Sequence, residues 1–284
     1  MNIQIQNEAK ADIFVSLFQH IPKFTDHMNL MFEKERFYMQ SINSSHVVIL
    51  EIVLPASWFD VYEVGATNNV IGVSASLFYK VLKKREKSQK IYISIEGTGT
   101  DKLNIQLLAQ TENKTIFDKE FELPLIDLDT ELLSIPDIDH QAEFSLESDT
   151  FSTLVSQLRD FGETLEIDCS EEKIELCACS SENGKMMTNI PIADLSEFAI
   201  EEGEKIHADF ALKYLHEICS YQKLVKKIEV KLSKDFPMMI LFRLLPKTIE
   251  DSSIESESDA DPDSASSNIV EPKMVFYLAP KMSD

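Results

Sequence analysis

The sequence predicts an α+β fold of two similar domains built mainly from antiparallel sheets. Three observations carry this. Short runs that alternate apolar and polar residues, rich in β-branched and aromatic side chains, recur from end to end. Amphipathic helical segments are few and do not alternate one for one with strands, as a βαβ architecture would require. A helix–turn–strand unit in the first half has a counterpart in the second.

Taken in order, residues 13–18 read as an amphipathic helix flanked by Lys10 and Lys23, and 47–54 as a strand. The segment Ser74-Ala75-Ser76-Leu77-Phe78-Tyr79-Lys80-Val81-Leu82 reads as a helix. Its Leu77, Phe78, Val81 and Leu82 share one apolar arc, whereas Lys80 and Lys83 fall opposite, with Lys84 if the helix continues. Arg85 would rotate back to the apolar side, so the helix is predicted to end near it. Lys87 and Lys90 extend the positive charge, and 90–95 forms the next strand.

The second half repeats this plan. Residues 151–158 match the helix at 13–18, and strands are predicted at 165–169 and 173–179. The segment His207-Ala208-Asp209-Phe210-Ala211-Leu212-Lys213-Tyr214-Leu215 aligns with the one beginning at Ser74, which sets Lys213 against Lys80. Phe210, Tyr214, Leu215 and Ile218 then face inward, and Lys213, His216 and Glu217 face out. Lys223, Lys226 and Lys227 follow, and strands at 227–232, 238–244 and 274–278 complete the set.

The domains are predicted at 1–124 and 142–284, joined by a connector at 125–141. The stretch 123–140 is acidic and holds two prolines, but its leucines and isoleucines are too frequent for a floppy linker. It should lie against the body and leave apolar side chains on offer. Residues 249–271 contain eight acidic residues and no Lys or Arg. Such a composition cannot bury enough apolar surface to order itself, which predicts a disordered acidic insertion.

The formal net charge is −22, from 49 acidic and 27 basic residues. A protein that grips nucleic acid with its whole surface needs Lys and Arg, so any such contact must be gathered on one face. The cysteines Cys169, Cys177, Cys179 and Cys219 show no CxxC or Cys/His metal spacing and read as buried thiols in a reducing compartment. No P-loop, HExxH or GxSxG is present. Asp127 and Asp129 lie on an extended connector, where two carboxylates alone do not define a catalytic pair. No catalytic residue, metal ligand or cofactor is assigned, and an enzyme is not expected. The N-terminus lacks a signal-peptide layout, and no apolar stretch approaches the roughly 18 residues that span a bilayer. No membrane association is expected.

Several segments resemble one family in order along the chain. They are Gln40-Ser41-Ile42-Asn43-Ser44-Ser45-His46-Val47, then Asp127-Leu128-Asp129 with Leu133-Ser134-Ile135-Pro136. Phe210-Ala211-Leu212-Lys213-Tyr214-Leu215 and Tyr277-Leu278-Ala279-Pro280-Lys281 complete the match. The resemblance is to the proliferating cell nuclear antigen family, the eukaryotic and archaeal DNA sliding clamps. It implies curved sheets outside and two helices per domain inside, with three subunits closed head to tail into a ring around double-stranded DNA. The implied function is that of a DNA polymerase processivity factor in DNA replication and repair, in the nucleus or, for a viral source, a viral replication compartment.

The DNA-facing residues implied are Lys10, Lys80, Lys83, Lys84, Lys87, Arg159, Lys213 and Lys223. Partners implied are a DNA polymerase, a clamp loader and other proteins that insert a short hydrophobic-aromatic peptide beneath the connector. That pocket should comprise Ile42, His46, Val47, Leu133, Ile135, Pro136, Pro237, Tyr277, Ala279 and Pro280, the acidic connector steering basic-flanked peptides. For Val47 and His46 a purely structural role competes with the peptide contact. Ring closure as a homotrimer should pair edge strands at 115–123 and 185–192, with Phe121, Val155, Leu158, Met187 and Ile190 at the subunit interface. The sequence departs from the family in its acidic insertion, in Thr153 and Ser156 where arginines are usual, and in Glu171 where many relatives carry a modifiable lysine. The thin basic lining leaves two alternatives: an acidic adaptor of the same fold that binds peptides without encircling DNA, and one subunit of a heterotrimeric checkpoint clamp.

Overall fold

A computed structural model describes residues 1–65, 69–95, 101–109, 115–129, 132–136, 138–244 and 270–281. The predicted insertion therefore lies, except for its last two residues, outside the described residues. The first half runs β1 (Asn2–Ile5), α1 (Glu8–Phe18), β2 (His27–Phe32), β3 (Arg36–Ile42), β4 (Val48–Pro55), β5 (Val61–Glu63), β6 (Asn69–Ser74), α2 (Ala75–Leu82), β7 (Lys90–Ser94), β8 (Lys102–Leu108) and β9 (Lys119–Pro124). The second half runs β10 (Ala142–Glu147), α3 (Ser148–Arg159), β11 (Thr164–Cys169), β12 (Lys173–Ser180), β13 (Gly184–Pro191), β14 (Glu197–Ile200), β15 (Ile206–Ala211), α4 (Leu212–Ile218), β16 (Lys227–Leu232), β17 (Met238–Arg243) and β18 (Lys273–Leu278). The two lists match element for element, so the duplication read from the sequence extends to the whole of both halves.

Pairing repeats as well. The first half contains the sheets β5-β1-β7-β8-β9 and β4-β3-β2-β6, and the second contains β14-β10-β16-β17-β18 and β13-β12-β11-β15. One junction joins the halves: β18 pairs antiparallel with β4 over six residues, from Lys273 opposite Val53 to Leu278 opposite Val48, giving one nine-stranded sheet. The strands that would make the equivalent second junction, β9 and β13, are left as outer edges of the other two sheets.

Helix starts follow local chemistry. Asn7 caps α1 by accepting from the Lys10 N–H at 3.1 Å, and Ser74 caps α2 by accepting from the Leu77 N–H at 3.4 Å. Arg85 does turn inward where the helix is expected to stop. Its guanidinium pairs with Asp12 of α1 at 2.5 Å, and its side chain is only 5% exposed.

The equivalence of Lys80 and Lys213 needs correcting. Strand β7 begins eight residues after α2 and β16 nine after α4, and with Ser74 matched to Ala211 the buried sets coincide: Ala75, Phe78, Val81 and Leu82 against Leu212, Leu215, Ile218 and Cys219. Lys80 therefore matches Glu217, and Lys213 sits about one turn earlier, in the first turn of α4. A helix repeats its buried face about every four residues, so a slip of one turn leaves the apolar pattern intact and the sequence alignment does not feel it.

Val155 and Leu158 are also corrected. Both are 0% exposed within a single chain, where they pack α3 onto the second-half core. They belong to the core and have no surface to offer a neighbour.

Candidate nucleic-acid face and peptide pocket

Successive strand residues point to opposite sides of a sheet, and Phe276 and Tyr277 on β18 use this to separate two surfaces. Phe276 looks toward the helices. Its ring lies 5.6 Å from Phe24, between α1 and β2, and 5.5 Å from Tyr221, just after α4. His20 meets the Tyr221 ring edge-on at 5.2 Å, and Lys23 Nζ reaches Ser220 Oγ at 3.3 Å. The helical layers of both halves therefore meet on one face of the nine-stranded sheet.

That face carries most of the predicted cations. Lys80 lies exposed in the last turn of α2, Lys83 caps its C-terminus, and Lys84 and Lys87 follow, all exposed. Lys87 sits 3.6 Å from Glu8 at the start of α1. Lys10 is only half exposed, with its ammonium 5.7 Å from the Trp58 ring centroid. Arg159 ends α3, Lys213 stands in the first turn of α4 at 5.4 Å from the Tyr214 ring, and Lys223 follows α4.

Lys23, seen in the sequence only as a flanking charge, stands at the seam. Burial lowers the pKa of His20 with help from Lys23, and burial lowers that of His216 with help from Arg159 and Lys23. A lysine from the first half and an arginine from the second thus act on one imidazole. The lining of α3 is otherwise neutral or acidic on its exposed side, with Asp149, Thr153, Ser156 and Gln157.

On the opposite face, Ile42, Ile49, Tyr277 and Met239 stand in one row across β3, β4, β18 and β17. Val47, Ala279 and Pro237 lie at the same end of those strands, where the Ala279 N–H donates to Val47 O at 2.9 Å and Pro237 precedes Met238, the partner of Leu278. Val47 is half-buried against the core, so its packing role is real. His46 is exposed at a left-handed position, φ 56°, in a turn held by buried Asn43. The Asn43 side-chain oxygen accepts from the N–H groups of Val47 and Val48 at 2.9 and 3.0 Å. The competing reading of His46 as a satisfied, partly buried imidazole is thereby corrected: the residue projects from a rigid turn.

The connector crosses this face with one anchor per strand. Ile126 N–H donates to Gly72 O on β6 at 2.8 Å, the Asn29 amide on β2 donates to Asp129 O at 2.8 Å, and Gln40 on β3 binds Leu133. Gln40 donates to Leu133 O at 3.0 Å and accepts from its N–H at 2.8 Å. This sets Leu133, 44% exposed, over the residue that shares a face with Ile42, and Ile135 and Pro136 follow it. Glu51 completes the floor by accepting from the hydroxyls of Tyr38 and, at 3.2 Å, Tyr277. Pro280 continues the tail, whose Lys281 N–H donates to Asp209 O of β15 at 2.7 Å. Sequence reasoning misses the roles of Asn43, Glu51, Asn29 and Gly72, which act only through partners brought to them by the fold.

At the outer edges, Phe121 and Leu123 of β9 face Leu77 and Val81 of α2, and Phe121 stays half exposed. On β13, Met186 and Ile190 are half-buried on the core side, whereas Met187 points the other way and is 52% exposed. Among the described residues no helix is long and apolar enough to cross a membrane.

Residues 5–132 match the model of the proliferating cell nuclear antigen N-terminal domain, and residues 134–250 match that of its C-terminal domain. The chain is 23% identical over 283 residues to proliferating cell nuclear antigen 2 of Plasmodium falciparum, covering 98% of this chain and 99% of that protein. It is 26% identical over 211 residues to proliferating cell nuclear antigen of Chaetomium thermophilum, covering 72% and 79%. With both domain models matched in order and an α+β fold that repeats in both halves, the chain belongs to the proliferating cell nuclear antigen family.

Proposed function

We propose that this chain is a DNA sliding clamp, a non-catalytic processivity factor that encircles duplex DNA as a homotrimer and holds replication and repair proteins through the pocket beneath its connector. One observation carries the reading: the chain joins its own halves through β18 and β4 and leaves the equivalent strands β9 and β13 at the outer edges of their sheets. Repeating the internal junction between molecules pairs β9 of one with β13 of the next, a head-to-tail contact of the kind that builds a ring when the rotation between copies closes. The domains in this reading are 1–124 and 142–284, with 125–141 as connector.

The register of the internal junction supports specific contacts. Superposing β9 on β18 and β13 on β4 sets Phe121 opposite Met186 of the next subunit and Phe117 opposite Ile190. Phe117 is 75% exposed in the single chain, and a neighbour would cover it. The lysines of α2 and α4, with Lys23 and Arg159, then line the channel, and contact with phosphates is loose and blind to sequence. An acidic outer surface suits this arrangement, because encirclement retains DNA without tight binding. The family relationship supports a site of action with replicating DNA, in a nucleus or viral replication compartment.

Sedimentation equilibrium together with retention on nicked circular DNA tests the reading. A mass three times that of the 32.4 kDa chain, with release from DNA on linearisation, is the expected result. The sparse cations of α3 favour one rival, the peptide-binding adaptor, which a stable monomer never retained on circles would establish. A chain that closes only with unlike subunits would instead be part of a heterotrimeric ring.

A further inference from the structure

Beyond the row of Ile42 and Tyr277, the connector face holds a second cavity of about 470 Å³. Its walls are Arg36 and Tyr38 of β3, Val53 of β4, Leu133 of the connector, and Val270 and Lys273 leading into β18. Val270 packs there on a small apolar cluster of Met31, Tyr38 and Val53, separate from the main core. The cavity borders the row of Ile42 and Tyr277 at Glu51, which lines it and also accepts from the Tyr277 hydroxyl.

The charges in this cleft are unequal in availability. Glu51 is engaged by Tyr38, by Tyr277 and by Gln40 at 3.3 Å. Glu271 is engaged by Arg243, which also holds Glu229. On the cationic side, Arg36 contacts Glu33 at 2.7 Å and stacks over the Tyr38 ring at 4.7 Å, with 37% of its side chain exposed. Lys273 has no ion-pair partner among the described residues. Neutral donors occupy Glu51 without cancelling its charge, Glu271 is neutralised by Arg243 and Arg36 is shared with Glu33. The group this cleft offers to an incoming carboxylate is therefore the ammonium of Lys273, with the exposed part of Arg36 beside it.

We propose that this cleft is a subsite for an acidic side chain in the flank of the bound partner peptide, with Lys273 and Arg36 as its recognition groups. The proposal rests on the peptide-pocket reading above. Tyr38 lies four residues from Ile42 along β3, or about 13 Å at the rise of an extended chain. An extended peptide anchored at Ile42 and Tyr277 therefore reaches the cleft roughly four to six residues beyond its aromatic anchor. Leu133 and Val270 cover the apolar part of that segment, and its carboxylate meets Lys273.

The test uses labelled peptides that share one hydrophobic-aromatic anchor and carry glutamates, glutamines or lysines at those flanking positions, in two sets with the flank before or after the anchor. Binding to the full chain is read by fluorescence anisotropy. In one set the glutamate peptide should bind about two- to fivefold tighter than the glutamine peptide, the gain expected of a partly exposed charge pair. Lys273→Gln should abolish that gain and leave the glutamine peptide unchanged. Equal binding of the two, a preference for lysine, or a gain that survives in K273Q overturns the subsite and leaves the pocket standing. Failure of every peptide to bind removes the pocket and the subsite together. A glutamate preference that emerges only after residues 249–269 are excised would assign the cleft to the chain's own carboxylates and overturn the proposal.

Discussion

The side-chain amide of Gln40 holds the backbone of Leu133 from both sides, donating to its carbonyl at 3.0 Å and accepting from its N–H at 2.8 Å. An extended segment has no internal hydrogen bonds, so its backbone groups must find partners elsewhere. Here a strand residue on the floor of the pocket supplies both, and this fixes the height of the connector above Ile42. The proposed pocket is thus shaped by polar contacts, although apolar residues line it.

Gln40→Ala should weaken binding of an anchor peptide by up to about thirtyfold, because it removes two hydrogen bonds to the connector that contribute about 1 kcal/mol each. The fold should persist, since Gln40 lies on the outer face and outside the core. Calorimetric titration and a thermal melt on the same variant separate the two effects. Unchanged affinity would show that the connector is held by its other anchors.

Gly72→Ala should free the connector at its first anchor. A Cβ at Gly72 would lie 2.1 Å from Ile126 O and 3.0 Å from the Leu128 side chain, and backbone cannot yield to that. Hydrogen exchange should accelerate at Ile126, whose N–H is bonded to Gly72 O, while β3 and β4 keep their protection. Protection unchanged at Ile126 would contradict this.

Strands β4, β7, β11, β12, β16, β17 and β18, the repeat and the inward turn of Arg85 are legible in the sequence because each is set by local periodicity. Strands β2, β8 and β10 are not, and Ile206–Ala211, expected as the start of a helix, is strand β15. The end-to-end match of the halves is legible in part, through one helix–strand unit. What periodicity cannot resolve is register. One turn of slip sets Lys213 against Lys80, and an apolar helix face gives no sign that Val155 and Leu158 point into their own core rather than toward a neighbour. The pocket residues are reached through family resemblance. Of the groups that shape it, Asn43 stands in the resembling segment without its turn-holding role being legible, and Glu51 and Gly72 are not reached at all, because their roles depend on partners brought close only by the fold. The same holds for Arg36 and Lys273, which share one cleft from opposite ends of the chain.

Phe121→Asp or Met186→Asp should yield a folded monomer, because each sets a carboxylate within the apolar strip that the internal register assigns to the subunit contact. Leu158→Ala should do the opposite, costing about 3 kcal/mol of stability through a core cavity without changing the stoichiometry. Sedimentation and urea denaturation of the three variants decide it. A trimeric Phe121→Asp variant would refute the assigned register.

Replacing Lys80 and Lys83 together by Gln should lower the dependence of DNA affinity on salt by about one unit of slope for each phosphate that these lysines neutralise. Sequence preference should not appear, since the proposed contact is with phosphates alone. Binding isotherms at several salt concentrations measure the slope. An unchanged slope would place these lysines away from DNA.

His207 should shift in the opposite direction to His20 and His216. His207 is raised above its ordinary value, first by its hydrogen bond to the Asp168 carboxylate at 2.9 Å, with burial opposing. His20 and His216 are lowered, first by burial and then by Lys23 and by Arg159 with Lys23. The stability contributed by His207 is therefore present below its unfolded value of about 6.5 and is lost as the pH rises through its higher folded value. For His20 and His216 the unfolded chain takes up protons first, so stability falls as the pH drops below about 6.5. Imidazole resonances followed from pH 5 to 8 should show His207 titrating at higher pH than His20 and His216. Replacing His216 by Gln should make the urea midpoint less sensitive to acid than in the parent chain, and replacing His207 should not. A His216 that titrates above His207 would contradict the desolvation, and after it the Arg159 and Lys23 charges, that lower it.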